Sequence, residues 1–171
     1  MSTTLASLNT ATPAQFLATL GGVFEHSPWV AERALAARPF ADVAALHAAM
    51  LGAVTAATRD EQLTLIRAHP ELAGREAVDG TLTTDSSSEQ GRLGLTALSR
   101  AEFERITALN QRYRERFGFP CIIALALHRD RASVFIAFEN RIKNDPAQEL
   151  RAALEQIGHI TRSRLARLLD H

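Results

Sequence analysis

Lysine and cysteine are nearly missing from this 171-residue chain: of its nineteen basic residues only Lys143 is a lysine, and Cys121 is the one cysteine. A lone cysteine forms no internal disulfide and no cysteine-based metal cluster, which fits a reducing compartment. A lone lysine leaves one candidate for Schiff-base chemistry, and Lys143 sits in the polar run Arg-Ile-Lys-Asn-Asp, a solvent-facing setting; covalent amine catalysis is disfavoured. An excess of either charge is also lacking, since 19 acidic residues balance and interleave with the 19 basic ones. Without a basic stripe to follow a phosphate backbone, nucleic-acid binding is disfavoured. No apolar run approaches the ~18 residues that span a bilayer, so no membrane partner is expected. The opening Met-Ser-Thr-Thr-Leu-Ala-Ser-Leu-Asn has neither the basic nor the apolar region of a secretory signal, and the closing Leu-Leu-Asp-His does not match the peroxisomal type. The expected location is the cytoplasm. His26, His47, His128, His159 and His171 show no metal-binding spacing such as His-Glu-x-x-His, and no metal site is expected.

What is present is a succession of helix signals. Hydrophobic content of 46% suits one soluble globular core, and the length predicts a single domain over residues 1–171. Thr12-Pro13-Ala-Gln15 has proline at the first helical position and the spacing of a capping box. Ser27-Pro28 opens a helix in the same way. Val43, Leu46, Met50 and Val54 recur at helical intervals over 42–55. Thr58-Arg-Asp-Glu61 starts a helix that has to stop near His69, because the ring of Pro70 disfavours the α conformation before it. Residues 71–85 read as an ordered polar loop. Ser99-Arg-Ala-Glu102 caps a long helix with Phe103, Ile106, Leu109, Tyr113 and Phe117 on one face, ended by Gly118. The run from Pro120 to Leu127 is apolar all round, so it is buried whether extended or helical. Residues 133–144 read as helix, and Asp145-Pro146-Ala-Gln148 caps a last one. The expected fold is all-α, a single-domain bundle of about seven or eight helices.

Three groups stand out chemically. His69 carries the side chain best matched to proton transfer near neutral pH, although a histidine at a helix C-terminus also serves the helix dipole. Ser86-Ser-Ser-Glu89 has capping-box spacing, and a helix N-terminus there would offer free N–H groups to an anionic or carbonyl-rich ligand. Gln90 beside it both donates and accepts. Arg164 falls on the stripe formed by Leu150, Leu154, Ile157, Thr161 and Leu168. A guanidinium on an apolar face needs an anionic partner or an exit to solvent: a structural ion pair, a stem snorkelling from the helix end, or a clamp on a substrate carboxylate. Gly118 and Pro120 interrupt helical bonding, leaving backbone groups nearby that a ligand could satisfy. On the residues alone, a helical partner-binding module and a cofactor-free hydrolase using His69 to activate water stay open.

With these positions in hand, the chain resembles the OHCU decarboxylase family, whose members decarboxylate 2-oxo-4-hydroxy-4-carboxy-5-ureidoimidazoline. The resemblance runs from about Phe16 to Leu169. It rests on His69-Pro70-Glu-Leu-Ala-Gly74, Ser86-Ser-Ser-Glu89-Gln90, Leu109-Asn-x-x-Tyr113-x-x-x-Phe117-Gly-Phe-Pro120, Arg141-Ile-x-Asn144-x-x-x-x-Glu149 and Arg164-Leu165. It implies an all-α homodimer in purine breakdown, acting on a small molecule without metal or organic cofactor. His69, Glu89 and Arg164 would be catalytic, with His69 as acid/base. Pro70, Ser86, Ser87, Ser88 and Gln90 would line the substrate pocket, with Cys121, Ile122, Ile123, Ala124 and Leu125 contributing mainly backbone. The family usually has phenylalanine where Cys121 stands, a change that bears on packing more than on chemistry.

Overall fold

The computed structural model describes residues 3–169. Met1, Ser2, Asp170 and His171, which take part in the localisation and metal expectations, lie outside the described residues. Among those described, the chain forms ten α-helices, two 3₁₀ helices and no strand, an all-α fold. No described helix is long and apolar enough to cross a membrane.

The described chain divides into two compact units: a terminal unit that runs to Ala68 and resumes at Thr161, and a middle unit, His69–Ile160. The terminal unit holds α1 (Leu5–Thr10), α2 (Pro13–Leu20), α3 (Trp29–Ala34), α4 (Val43–Thr55) and α5 (Arg59–Arg67), together with the final turns of α10 (Pro146–Leu169). The caps explain where its helices start. Thr12 with Gln15 and Thr58 with Glu61 form reciprocal capping boxes, and the Asp42 carboxylate accepts the Ala45 N–H. Pro28 departs from expectation: it is itself the residue before α3, and no side chain caps that helix. Phe16, Leu20, Leu46, Met50, Leu65 and Ile66 fill this unit's interior. His47 Nε2 meets Thr161 Oγ1 at 2.9 Å.

The middle unit holds α6 (Arg75–Asp79), α7 (Thr84–Arg92), α8 (Arg100–Phe117), α9 (Arg131–Arg141) and the first part of α10. Its core gathers Tyr113 with Phe117, Phe119 and Phe138, the rings tilted or edge-on to Tyr113 at 4.6–5.9 Å, where aromatic quadrupoles attract. Ser99 and Glu102 cap α8 as expected, and Gly118 closes it in the left-handed conformation that glycine adopts without a Cβ penalty. Four expectations are corrected. Residues 71–85 are not all loop, because α6 and the first turn of α7 lie within them. The helix expected over 133–144 runs from Arg131 to Arg141, capped by Asp130. Phe103 is 39% exposed although its α8 partners Ile106, Leu109 and Tyr113 are buried. The apolar run after Pro120 is buried only to Leu125, and Leu127 is 60% exposed.

One fully buried carboxylate ties this unit together. Glu149, in the first turn of α10, accepts hydrogen bonds from the Tyr113 hydroxyl, from Arg141 Nε at 2.5 Å and from Asn144 Nδ2 at 2.9 Å. A buried carboxylate is tolerable because opposite charge and donors replace its lost water. Burial, reinforced by Cys121 and Glu149, pushes the Tyr113 phenol far above its ordinary range, so it stays a donor to that carboxylate. Replacing Glu149 by leucine leaves the Arg141 guanidinium without its anion. The expected cost is about 3–5 kcal/mol in urea unfolding, and an unchanged unfolding midpoint would contradict this role.

Candidate active site

Within the middle unit the His69 loop, α7 and the segment after Pro120 come together. His69 follows the end of α5 by two residues and is 7% exposed. Pro70 stands outside any helix, and the Gly74 N–H closes a turn on the Glu71 carbonyl at 3.2 Å. Ala73 sits at φ 47, left-handed backbone that a non-glycine residue adopts only when its surroundings impose it. Gly74 has no room for a side chain, since a Cβ there would stand 2.6 Å from the Glu71 Cβ. The motif His69-Pro-Glu-Leu-Ala-Gly74 therefore encodes a tight turn directly after His69.

Helix α7 carries the second group, with one correction. Thr83, not Ser86, caps it: the Thr83 hydroxyl accepts the Ser86 N–H. Ser86 and Glu89 thus lie inside the helix, and no helix N-terminus opens at Ser86. The helical period still places Ser86, Glu89 and Gln90 on one side. Ser86 and Gln90 are buried and Glu89 is half-buried, while Ser87 and Ser88 are exposed on the other side. Gln90 is engaged at both ends of its amide. Its Oε1 accepts the Ala73 N–H at 2.8 Å, and its Nε2 donates to the Glu71 carbonyl at 3.4 Å, which fastens the turn behind His69 to α7.

The other end of α7 holds the third group. Arg92 donates to the carbonyl of Leu125 and, at 3.1 Å, to that of His128. Cys121, Ile122, Ile123, Ala124 and Leu125 are all buried, yet the segment is non-helical up to the 3₁₀ turn at Leu125–Leu127. Its backbone is held from other sides too: Arg141 Nη1 donates to the Ile122 carbonyl at 2.7 Å, and Gln156 Oε1 accepts the Ala124 N–H at 2.8 Å. What stays open is informative. The N–H groups of Ile122 and Ile123 and the Ile123 carbonyl bond to no other group among the described residues. Buried backbone groups almost always find partners, so an oxygen- and nitrogen-rich ligand fits this place.

Arg164 belongs to the terminal unit. It is buried on the stripe anticipated for it, whereas Arg162 is exposed. Its guanidinium pairs with the buried Glu25 carboxylate at 2.7 Å and donates to the Val23 carbonyl at 3.3 Å. Glu25 went unremarked in the sequence because nothing local marks a partner 139 positions away. Among the described residues no group of three His, Cys, Asp or Glu side chains could hold a metal ion.

Comparison with known proteins bears on this arrangement. A family model described as OHCU decarboxylase matches residues 9–166. The chain is 41% identical over 163 residues to the 2-oxo-4-hydroxy-4-carboxy-5-ureidoimidazoline decarboxylase of Haloferax volcanii, covering 95% of this chain and 94% of that protein. It is 36% identical over 165 residues to the protein of the same name from Mus musculus, with 96% and 92% covered. Among solved structures it is similar to an (S)-allantoin synthase, with a TM-score of 0.75 and 31% identity over 98% of this chain and 55% of that one.

Cys121 supplies a pH test of the buried segment. Burial pushes its thiol up from the ordinary 9.0 to about 12, so the folded state favours the neutral form. That contribution is complete below pH 9.0 and is lost as pH rises towards about 12. Across this window wild type is expected to lose more stability than Cys121→Val, measured by urea unfolding. Equal alkaline losses would contradict the burial.

Proposed function

The chain belongs to the OHCU decarboxylase family, a family of carboxy-lyases, and we propose that it converts 2-oxo-4-hydroxy-4-carboxy-5-ureidoimidazoline to (S)-allantoin and carbon dioxide, with His69 moving the proton. The family match runs through both compact units, which supports reading residues 1–171 as one catalytic domain. The resemblance adds a homodimer, and the cytoplasm is the location proposed for it.

The observation that carries the reading is the buried, partly unpaired backbone of Ile122 and Ile123, joined through α7 to the turn behind His69. The substrate carries a carboxylate on a hydroxylated ring carbon, next to an imine carbon that bears the ureido group. When the bond to carbon dioxide breaks, its electron pair moves towards the imine, whose nitrogen takes up the charge and then a proton from solvent. The substrate is thus its own electron sink, in keeping with a chain whose single lysine, Lys143, is exposed. The hydroxyl carbon becomes a carbonyl as its proton leaves, and a proton is added at the ureido-bearing carbon. His69 supplies that proton from one face, which makes the product a single enantiomer.

Glu89 and Ser86, on the same side of α7, hold the hydroxyl and ureido groups. The free N–H groups of Ile122 and Ile123 suit the ring and ureido oxygens, and the Ile123 carbonyl suits an N–H. Acid–base help is worth about 10²–10⁴-fold, and orientation in a water-poor setting supplies much of the rest. For Arg164 the resemblance implies a catalytic part as well; Arg164→Lys, which keeps the charge and loses the planar fork, is expected to lower kcat/KM. Wild-type kcat/KM in that variant would remove Arg164 from the proposal.

Freshly generated substrate incubated with the protein should release carbon dioxide faster than the spontaneous background and give enantiomerically enriched (S)-allantoin. Racemic product at the background rate would defeat the proposal and favour a partner-binding module. His69→Ala should retain its helical circular dichroism and lose about 10²–10⁴-fold in kcat. Near-normal turnover in that variant would end the role assigned to His69.

A further inference from the structure

We infer that Asn110 is a positioning residue for His69, acting through the backbone of the turn that follows the imidazole; its catalytic consequence rests on the function proposed above. Asn110 projects from the middle of α8 and is 5% exposed. Its Nδ2 donates to the Leu72 carbonyl at 2.9 Å, across 38 positions of sequence. Its Oδ1 is buried and accepts no hydrogen bond among the described residues. A buried amide with one half unsatisfied is costly, and an aliphatic side chain of similar size would carry no such cost. The amide is therefore poorly explained as core packing. Its one hydrogen bond falls three residues from His69.

The turn has few other restraints. On one side a concavity of about 260 Å³ lies against Glu71, Ala73, Gly74 and Asn110, so packed side chains do not fill the space there. Gln90 fastens Glu71 and Ala73, and Arg114 reaches Glu71 from a largely exposed position. Asn110 alone holds Leu72 among these polar contacts. Ala73, left-handed immediately afterwards, is a conformation that relaxes when its restraints are released. With the Leu72 carbonyl free, the turn gains an alternative path, and the imidazole at its root gains a spread of orientations.

The test replaces Asn110 by leucine, and separately by aspartate, which keeps the shape but offers no donor to the Leu72 carbonyl at neutral pH. Per folded molecule, kcat is expected to fall by about 10²-fold, the scale set by misplacing a reacting group by about 1 Å, with KM little changed. In a His69→Ala background the same substitution should lower kcat no further, because what Asn110 orients is gone. A purely structural residue would reduce the folded fraction and act equally in both backgrounds. A second reading needs no activity: by NMR, the His69 ring should give one sharp set of signals in wild type and broadened or doubled signals in Asn110→Leu. Full kcat per folded molecule in both variants, or unchanged ring signals, overturns the inference. A wild-type protein that makes no (S)-allantoin strikes the proposed function instead and leaves the ring signals to decide the role of Asn110.

Discussion

A stretch of buried, non-helical backbone inside an otherwise helical protein has to be held by something other than itself, and that requirement organises the middle unit. From Cys121 to Leu125 the chain is buried without an internal hydrogen-bond ladder. Three side chains take up the need: Arg141 at the Ile122 carbonyl, Gln156 at the Ala124 N–H and Arg92 at the Leu125 carbonyl. Each comes from a different helix. Arg141 is in turn fixed by Glu149, which also receives Tyr113 and Asn144. A carboxylate at the start of α10 thus reaches the backbone of Ile122 through one guanidinium. A preorganised polar surface of this kind suits catalysis, because its dipoles need no rearrangement when substrate charge shifts.

The turn behind His69 is built on the same logic at smaller scale. Steric exclusion at Gly74, the left-handed Ala73 and the amides of Gln90 and Asn110 together hold the backbone path. Helix α7 joins the two regions, since Gln90 and Arg92 stand two residues apart and address the turn and the buried segment respectively. Ser86 and Glu89 share the side of α7 that carries Gln90. Gln90, expected from the family resemblance to line the pocket, spends its amide on holding the turn. The side chains proposed to touch substrate and the side chain that holds the turn are neighbours on one helix.

Much of the helical frame was legible in the sequence because its signals are local. Reciprocal caps at Thr12, Thr58 and Ser99 span three residues, and the glycine that ends α8 needs no partner to be read. The start of α7 was misplaced because Thr83, Thr84, Asp85 and Ser86 are all able to cap, so spacing alone cannot choose among them. Helix α6 has five residues, too few for a period to emerge. Phe103 matched the α8 stripe but lies in the first turn, beside a concavity that leaves it part-exposed. The buried polar partners were illegible for a different reason. Glu25 with Arg164, Asn110 with Leu72, and Tyr113 with Glu149 are set by tertiary packing across 139, 38 and 36 positions. Sequence could single out Arg164 as anomalous on an apolar stripe, but not name the carboxylate that answers it.

The account stands on the claim that the imidazole of His69, the inner side of α7 and the open backbone groups of Ile122 and Ile123 serve one small, polar ligand. Titration of the isotopically labelled protein with (S)-allantoin, followed residue by residue in NMR spectra, tests this directly. The account predicts saturable shifts concentrated at the His69 ring, at Ser86 and Glu89, and at the amides of Ile122 and Ile123. Saturable binding whose shifts fall elsewhere and leave those amides and the His69 ring untouched would contradict it.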